Sequence, residues 1–161
     1  FEVETIGVRD TPEKGGPADR VIGFDHEDFH AALAETEYLV LASPLTETTR
    51  GLVDREAFDT LGPDAFLINI ARGGLVETDA LVDAVRSQFL RGAALDVTDP
   101  EPLPSDHPLW TFDNVFITPH NAGHSPEHWP RLADIVAENV RLLDETDALD
   151  GLENLVSTPD A

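Results

Sequence analysis

Residues Phe66–Gly123 read FLINIARGGLVETDALVDAVRSQFLRGAALDVTDPEPLPSDHPLWTFDNVFITPHNAG. An apolar run, Ala65–Ala71, ends at Arg72 and is followed by Gly73 and Gly74. The next segment changes period. Across Glu77–Leu90, the residues Leu81, Val82, Val85 and Phe89 fall on one stripe of a helix. Two further short apolar runs follow, Gly92–Val97 and Val115–Thr118. Strand, helix and strand in alternation predict a parallel α/β sheet. In open sheets of this kind, ligands bind beyond the carboxyl ends of the strands. Arg72, Asp96, Glu101 and His120 all fall at a strand end or in the loop beyond one.

The same alternation extends upstream. Val3–Val8 predicts a strand, Arg9–Asp19 a loop rich in Gly and Pro, and Arg20–Phe24 a short strand. Asp28–Glu35 predicts a helix with Phe29, Ala32 and Leu33 on one face. Tyr38–Ala42 (YLVLA) and Ala65–Ala71 are continuous apolar runs, the mark of strands buried on both faces. Asp54–Leu61 predicts a short helix. Pro126–Leu143 carries Leu132, Ile135, Val136, Val140 and Leu143 at helical spacing. No internal repeat is present.

Composition sets the surroundings. The chain has 161 residues, 41% of them hydrophobic, enough for one domain with a core. Its net charge is −22, which excludes nonspecific nucleic-acid binding, because phosphate binding needs basic patches. Lys14 is the only lysine; the other basic residues are arginines. A salt-rich cytoplasm fits this balance, since dense counterions screen repulsion between surface carboxylates. With no cysteine there is neither a disulfide scaffold nor a thiolate metal site. No apolar run approaches the length of a membrane span, and no signal peptide is present. The chain has no methionine and opens inside a strand-like segment, so it reads as a piece of a longer protein.

The chain resembles the D-isomer-specific 2-hydroxyacid dehydrogenases over nearly its whole length. The resemblance rests on SPLTETTRGLV (Ser43–Val53), INIARGGLVETDAL (Ile68–Leu81), GAALDVTDPEPLP (Gly92–Pro104) and ITPHNAG (Ile117–Gly123), in this order. It implies a Rossmann-type doubly wound parallel sheet, here incomplete, because the first strand and its Gly-rich turn are absent from the chain. The first strand lies at the middle of such a sheet, so its loss should leave a gap. The implied organisation is a partial dinucleotide-binding domain over residues 1–123, a long returning helix over 124–145, and a tail over 146–161 leading back to a substrate domain. The implied partner is a small 2-keto or 2-hydroxy acid, with no nucleic acid or membrane, in a cytoplasmic homodimer. Glyoxylate or hydroxypyruvate suits the reductase branch. A dinucleotide-sensing relative without catalysis, and an inactive fragment, are the alternative readings.

The residues carry this chemistry as follows. A guanidinium offers a rigid fork of donors that fits a carboxylate bidentately, and the resemblance gives Arg72 the substrate carboxylate. A carboxylate beside an imidazole favours the protonated ring, which suits general-acid work on a ketone. The resemblance gives His120 the proton and Glu101 the orienting role. It gives Asp96 a bond to the nicotinamide carboxamide; the plain alternative is a strand-terminal cap. Ser43 and Pro44 match the loop on the adenosine side, and Ala71, Ala122 and Gly123 join Arg72 and His120 in the cofactor set. Arg9 follows the strand ending Ile6–Gly7–Val8. In that register it meets a 2′-phosphate and favours NADP(H); if Asp10 holds the position, NAD(H) is favoured. His124 and His128 stand four apart at a predicted helix start, a spacing that can hold a metal. No third ligand is evident there, and no metal centre is expected.

Overall fold

Strand pairing is parallel throughout the described residues. The computed structural model describes residues 3–146 and 151–154. Strands β1 (Ile6–Val8) and β2 (Arg20–Ile22) form one small sheet. Strands β3 (Tyr38–Leu41), β4 (Phe66–Asn69), β5 (Gly92–Leu95) and β6 (Val115–Ile117) form a second, in the order β3-β4-β5-β6. No ladder joins the two, so β1 and β3 each keep an unpaired edge among the described residues. The break between β1 and β3 falls where a gap was expected. Helices α1 (His26–Ala34), α2 (Arg55–Thr60), α3 (Thr78–Arg86) and α4 (His128–Thr146) complete the chain. It divides into two compact units, 1–122 and 123–161.

The core of the first unit lies on one face of the larger sheet. Leu41, Leu67, Ala93 and Leu95 are buried there with Phe29 and Leu33 of α1, Phe58 of α2, and Leu81 and Val85 of α3. Fully burying one leucine side chain contributes on the order of 2 kcal/mol. The other face is open: Val40 is 51% exposed and Phe116 67%. Burial of β3 and β4 on both faces is therefore corrected. Alternation sends every second side chain to the open face, where Tyr38 and Val40 of β3 are exposed and Phe66 and Ile68 of β4 only half-buried.

Caps move several helix boundaries from where periodicity puts them. Helix α1 begins at His26, two residues earlier than expected. The Asp25 carboxylate accepts the backbone N–H groups of Glu27 and Asp28 and so fixes the first turn. Asp54 caps α2 in the same way by accepting from the Ala57 N–H. Helix α3 stops at Arg86, because Gln88 adopts φ 59° and the chain turns. Phe89 thereby leaves the predicted stripe and is 58% exposed, while Leu90 fills the core position instead. The expected strand over Val3–Val8 is shortened to Ile6–Val8, since only those residues find ladder partners in β2.

In the second unit, α4 starts at His128 rather than Pro126. Residues Pro126 and Glu127 form a turn, and His128 N–H reaches back to the Ser125 carbonyl. His124 thus lies outside the helix. Its ring meets that of His128 edge-on, with centroids 6.4 Å apart. Within the unit, Asn139 exchanges two hydrogen bonds with the Glu153 backbone. Most of the tail expected over 146–161 lies outside the described residues.

Candidate active site

Parallel strands point their carboxyl ends the same way, and this gathers the predicted residues on one edge. Asn69 ends β4 and is almost fully buried. Its side-chain oxygen accepts the Ala71 N–H at 3.1 Å, and its amide donates to the Arg72 carbonyl at 2.9 Å. These two bonds shape the turn that turns Arg72 out of the sheet to the surface. The Arg72 guanidinium donates to the Ala71 carbonyl at 2.6 Å through Nη1 and makes no other hydrogen bond or ion pair among the described residues.

Gly73 then lets this loop press against the one after β5. A Cβ on Gly73 would lie 2.0 Å from the Thr98 carbonyl oxygen and 2.6 Å from Asp99 N. Backbone on both sides leaves no room to relax. Gly73→Ala is expected to lower stability by about 3 kcal/mol or more. Gly74→Ala meets only the Leu45 side chain, at 3.1 Å, and should cost under about 1 kcal/mol. Urea unfolding of both variants checks the contrast; equal midpoints would contradict it.

Asp96 follows β5 and is buried. Its Oδ1 accepts from the Thr118 hydroxyl at 2.5 Å and from Asn121 N–H at 2.9 Å, and its Oδ2 from Ala122 N–H at 2.7 Å. Burial pushes the carboxyl up, but these bonds and the nearby His120 outweigh it and hold Asp96 below its ordinary value. The carboxylate therefore ties down the loop beyond β6. Within that loop His120 adopts φ 53°, a left-handed conformation unusual for a residue with a Cβ. Its Nδ1 lies 2.7 Å from Glu101 Oε1. With Nδ1–H donated to that carboxylate, Nε2 is the ring atom left to exchange a proton.

A cavity of about 690 Å³ opens between the ends of β1 and β3. Arg9, Gly16, Ser43, Pro44 and Thr49 line it. Arg9 sits directly beyond β1: its N–H pairs with the Ile22 carbonyl, and its guanidinium donates to the Gly15 carbonyl at 2.6 Å. Asp10 lines the same cavity, so both cofactor registers stay within reach of it. The Ser43–Pro44 loop is held by buried Thr49, whose hydroxyl donates to the Pro44 carbonyl at 2.7 Å. Gly123 belongs to the second unit.

Sequence reasoning missed Asn69, Thr49 and Thr118. Each is a polar residue that shapes a loop carrying a predicted one. An asparagine closing an otherwise apolar strand was a readable signal, because a buried amide must find partners. The two threonines gave none, since their partners lie in contacts that only folding supplies.

Residues 1–122 match the NAD binding domain of the D-isomer specific 2-hydroxyacid dehydrogenases. The chain belongs to that family. A curated glyoxylate reductase from Thermofilum pendens is 41% identical over 113 residues, 70% of this chain and 33% of that enzyme. The chain spans less than half the length of the curated relatives it matches first. A family member from Xanthobacter autotrophicus Py2, solved in complex with NADPH and MES, superposes with a TM-score of 0.78 at 33% identity, covering 94% of this chain and 61% of that one. The NADPH-dependent glyoxylate/hydroxypyruvate reductase of Sinorhizobium meliloti, solved with NADP and malonate, gives 0.76 at 29% identity, covering 91% and 44%. The fold is thus that of the family's Rossmann-like α/β domain. No described helix is long and apolar enough to cross a membrane.

Proposed function

We propose that the protein carrying this chain reduces a small 2-keto acid of the glyoxylate or hydroxypyruvate type to the D-2-hydroxy acid, with NADP(H) preferred over NAD(H). The observation that carries this reading is the Glu101–His120 pair at 2.7 Å on the strand edge that also presents Arg72. The cavity of about 690 Å³ between the ends of β1 and β3, with Arg9 on its wall, supports placing the cofactor's adenosine end there. Arg9, Ser43 and Pro44 would hold its adenosine side. Ala71, Arg72, Asp96, His120 and Ala122 would hold the rest. When bound, the nicotinamide supplies the hydride.

The chain's own groups supply binding and the proton. Arg72 grips the substrate carboxylate through its guanidinium fork and polarises the keto oxygen. His120 Nε2 gives its proton to that oxygen as the alkoxide charge develops. Glu101 keeps Nδ1 protonated and the ring oriented. Asp96 has four acceptor sites and uses three inside the chain, leaving one on Oδ2 for the carboxamide. The same reading makes the protein a homodimer of a salt-rich cytoplasm.

Turnover of glyoxylate and hydroxypyruvate, followed by NADPH oxidation, tests the activity. Binding of NADPH without turnover of any keto acid would favour the dinucleotide-sensing alternative. Cofactor choice has its own test. Arg9→Asp removes the cation for a 2′-phosphate and supplies an acceptor for a ribose hydroxyl. The ratio of kcat/KM for NADPH over NADH should fall by about tenfold or more, the weight of one charge-assisted bond. An unchanged ratio would assign the ribose to Asp10 or to neither.

A further inference from the structure

We propose that His26, His30 and Glu56 form a binding site for one divalent transition-metal ion, zinc by its ligand chemistry, that ties α1 to α2. None of the three lines the cavity described above. His26 and His30 are four apart within α1, so their rings share one face of the helix. The rings stand 4.2 Å apart between centroids and are inclined by 30°. Glu56, in the first turn of α2, brings Oε1 to 3.5 Å from His26 Nε2. One ligand atom from each residue lies within 4.8 Å of the others. Ligands around a tetrahedral zinc, bound at about 2.0–2.1 Å, stand roughly 3.4 Å apart. His26 Nε2 and Glu56 Oε1 already stand near that spacing, and side-chain rotation would have to bring in the rest.

A second observation concerns the state of His30. The Thr60 hydroxyl donates to the Glu56 carbonyl at 2.8 Å. With its single proton used there, it acts as an acceptor toward His30 Nδ1, 2.8 Å away; the opposite arrangement would reverse both roles. In that arrangement Nδ1 carries the ring proton and Nε2 keeps its lone pair. A ligating histidine needs this arrangement: one nitrogen anchored by a hydrogen bond, the other bare. Thr60 can thus hold His30 in a metal-competent tautomer before any ion arrives.

The residues His26-Glu27-Asp28-Phe29-His30 also have the H-E-x-x-H spacing of helical zinc pairs. Sequence reasoning weighed that spacing only at His124 and His128. What it could not see at His26 and His30 was the third ligand, which comes from a different helix. His26 and Glu56 are both exposed, so the ion reaches the site directly and keeps water in its fourth position. Two imidazoles and one carboxylate suit zinc, cobalt or nickel rather than magnesium or calcium, which prefer oxygen. On a chain of net charge −22, that selectivity distinguishes a built site from loose attraction of cations.

Titration of the metal-free protein with Co²⁺, followed by visible absorption, tests the site. One equivalent should bind, be displaced by Zn²⁺, and resist millimolar Mg²⁺. Zn²⁺ at a hundredfold excess over its Kd should raise Tm by on the order of 5 °C. His26→Ala and His30→Ala should abolish the signal. Thr60→Val should weaken binding by about 10–100-fold through loss of the anchoring bond. His128→Ala should leave the signal intact. Because a variant can fail to fold, the histidine ring signals of the unaltered protein give an independent readout. Zn²⁺ should shift those of His26 and His30 and spare the other four. The proposal is overturned if the unaltered protein binds no Co²⁺, if Mg²⁺ displaces it, or if the signal survives loss of both histidines.

Discussion

His120→Ala is expected to lower kcat/KM for keto-acid reduction, and for the reverse oxidation, by roughly 10²–10⁴-fold, the usual weight of a positioned general acid–base. Both directions should lose together, because one nitrogen gives the proton in reduction and takes it in oxidation. Structural collapse is not the expected cause. His120 is exposed, and the loop around it is held by the Asp96 carboxylate through Thr118, Asn121 and Ala122. Alanine is also poorly suited to the φ of 53°, so a small loss of stability should accompany the kinetic effect. His120→Asn separates the two effects, since asparagine tolerates that conformation but cannot serve as the acid. Cofactor affinity measured by fluorescence should change far less than turnover in either variant. A loss under threefold in both directions would remove His120 from the proton path.

Arg72→Lys should lower kcat/KM by on the order of 10²–10³, as for other preorganised donors. Lysine keeps the charge but replaces a planar fork by a point charge, so it cannot hold two carboxylate oxygens at fixed angles. Fold stability should be nearly unaffected. Arg72 is exposed, its one hydrogen bond among the described residues goes to the Ala71 carbonyl, and the turn beneath it is built by Asn69 through backbone groups. Those bonds survive any change of the Arg72 side chain. If kcat/KM drops while Tm stays put, the guanidinium acts on substrate. A parallel fall in Tm would make it a structural residue instead.

The apolar runs at Tyr38–Leu41, Phe66–Asn69 and Gly92–Leu95 were legible because strand pairing rewards local sequence. Phe29, Ala32 and Leu33 were legible as a buried helical stripe because residues three and four apart share a helix face. Phe89 was not. Its removal from the core depends on Gln88 taking a left-handed turn, which periodicity does not encode. Nor could continuous apolar runs tell one buried face from two. That depends on which elements cover each side of the sheet.

By itself, the sequence determined the alternation of strand and helix, the parallel sheet this forces, and the placement of Asp96 at a strand end with Arg72 and His120 in the loops just beyond theirs. These follow from backbone periodicity, which acts over a few residues. The tertiary structure alone decided the partners. It brought Glu101 within 2.7 Å of His120 across a separation of 19 residues. It spent the Asp96 carboxylate on a loop 22–26 residues away and set Glu56 beside His26. Such pairings depend on where folding places distant loops and helices, and hydrogen bonds form only at the short distances that placement allows.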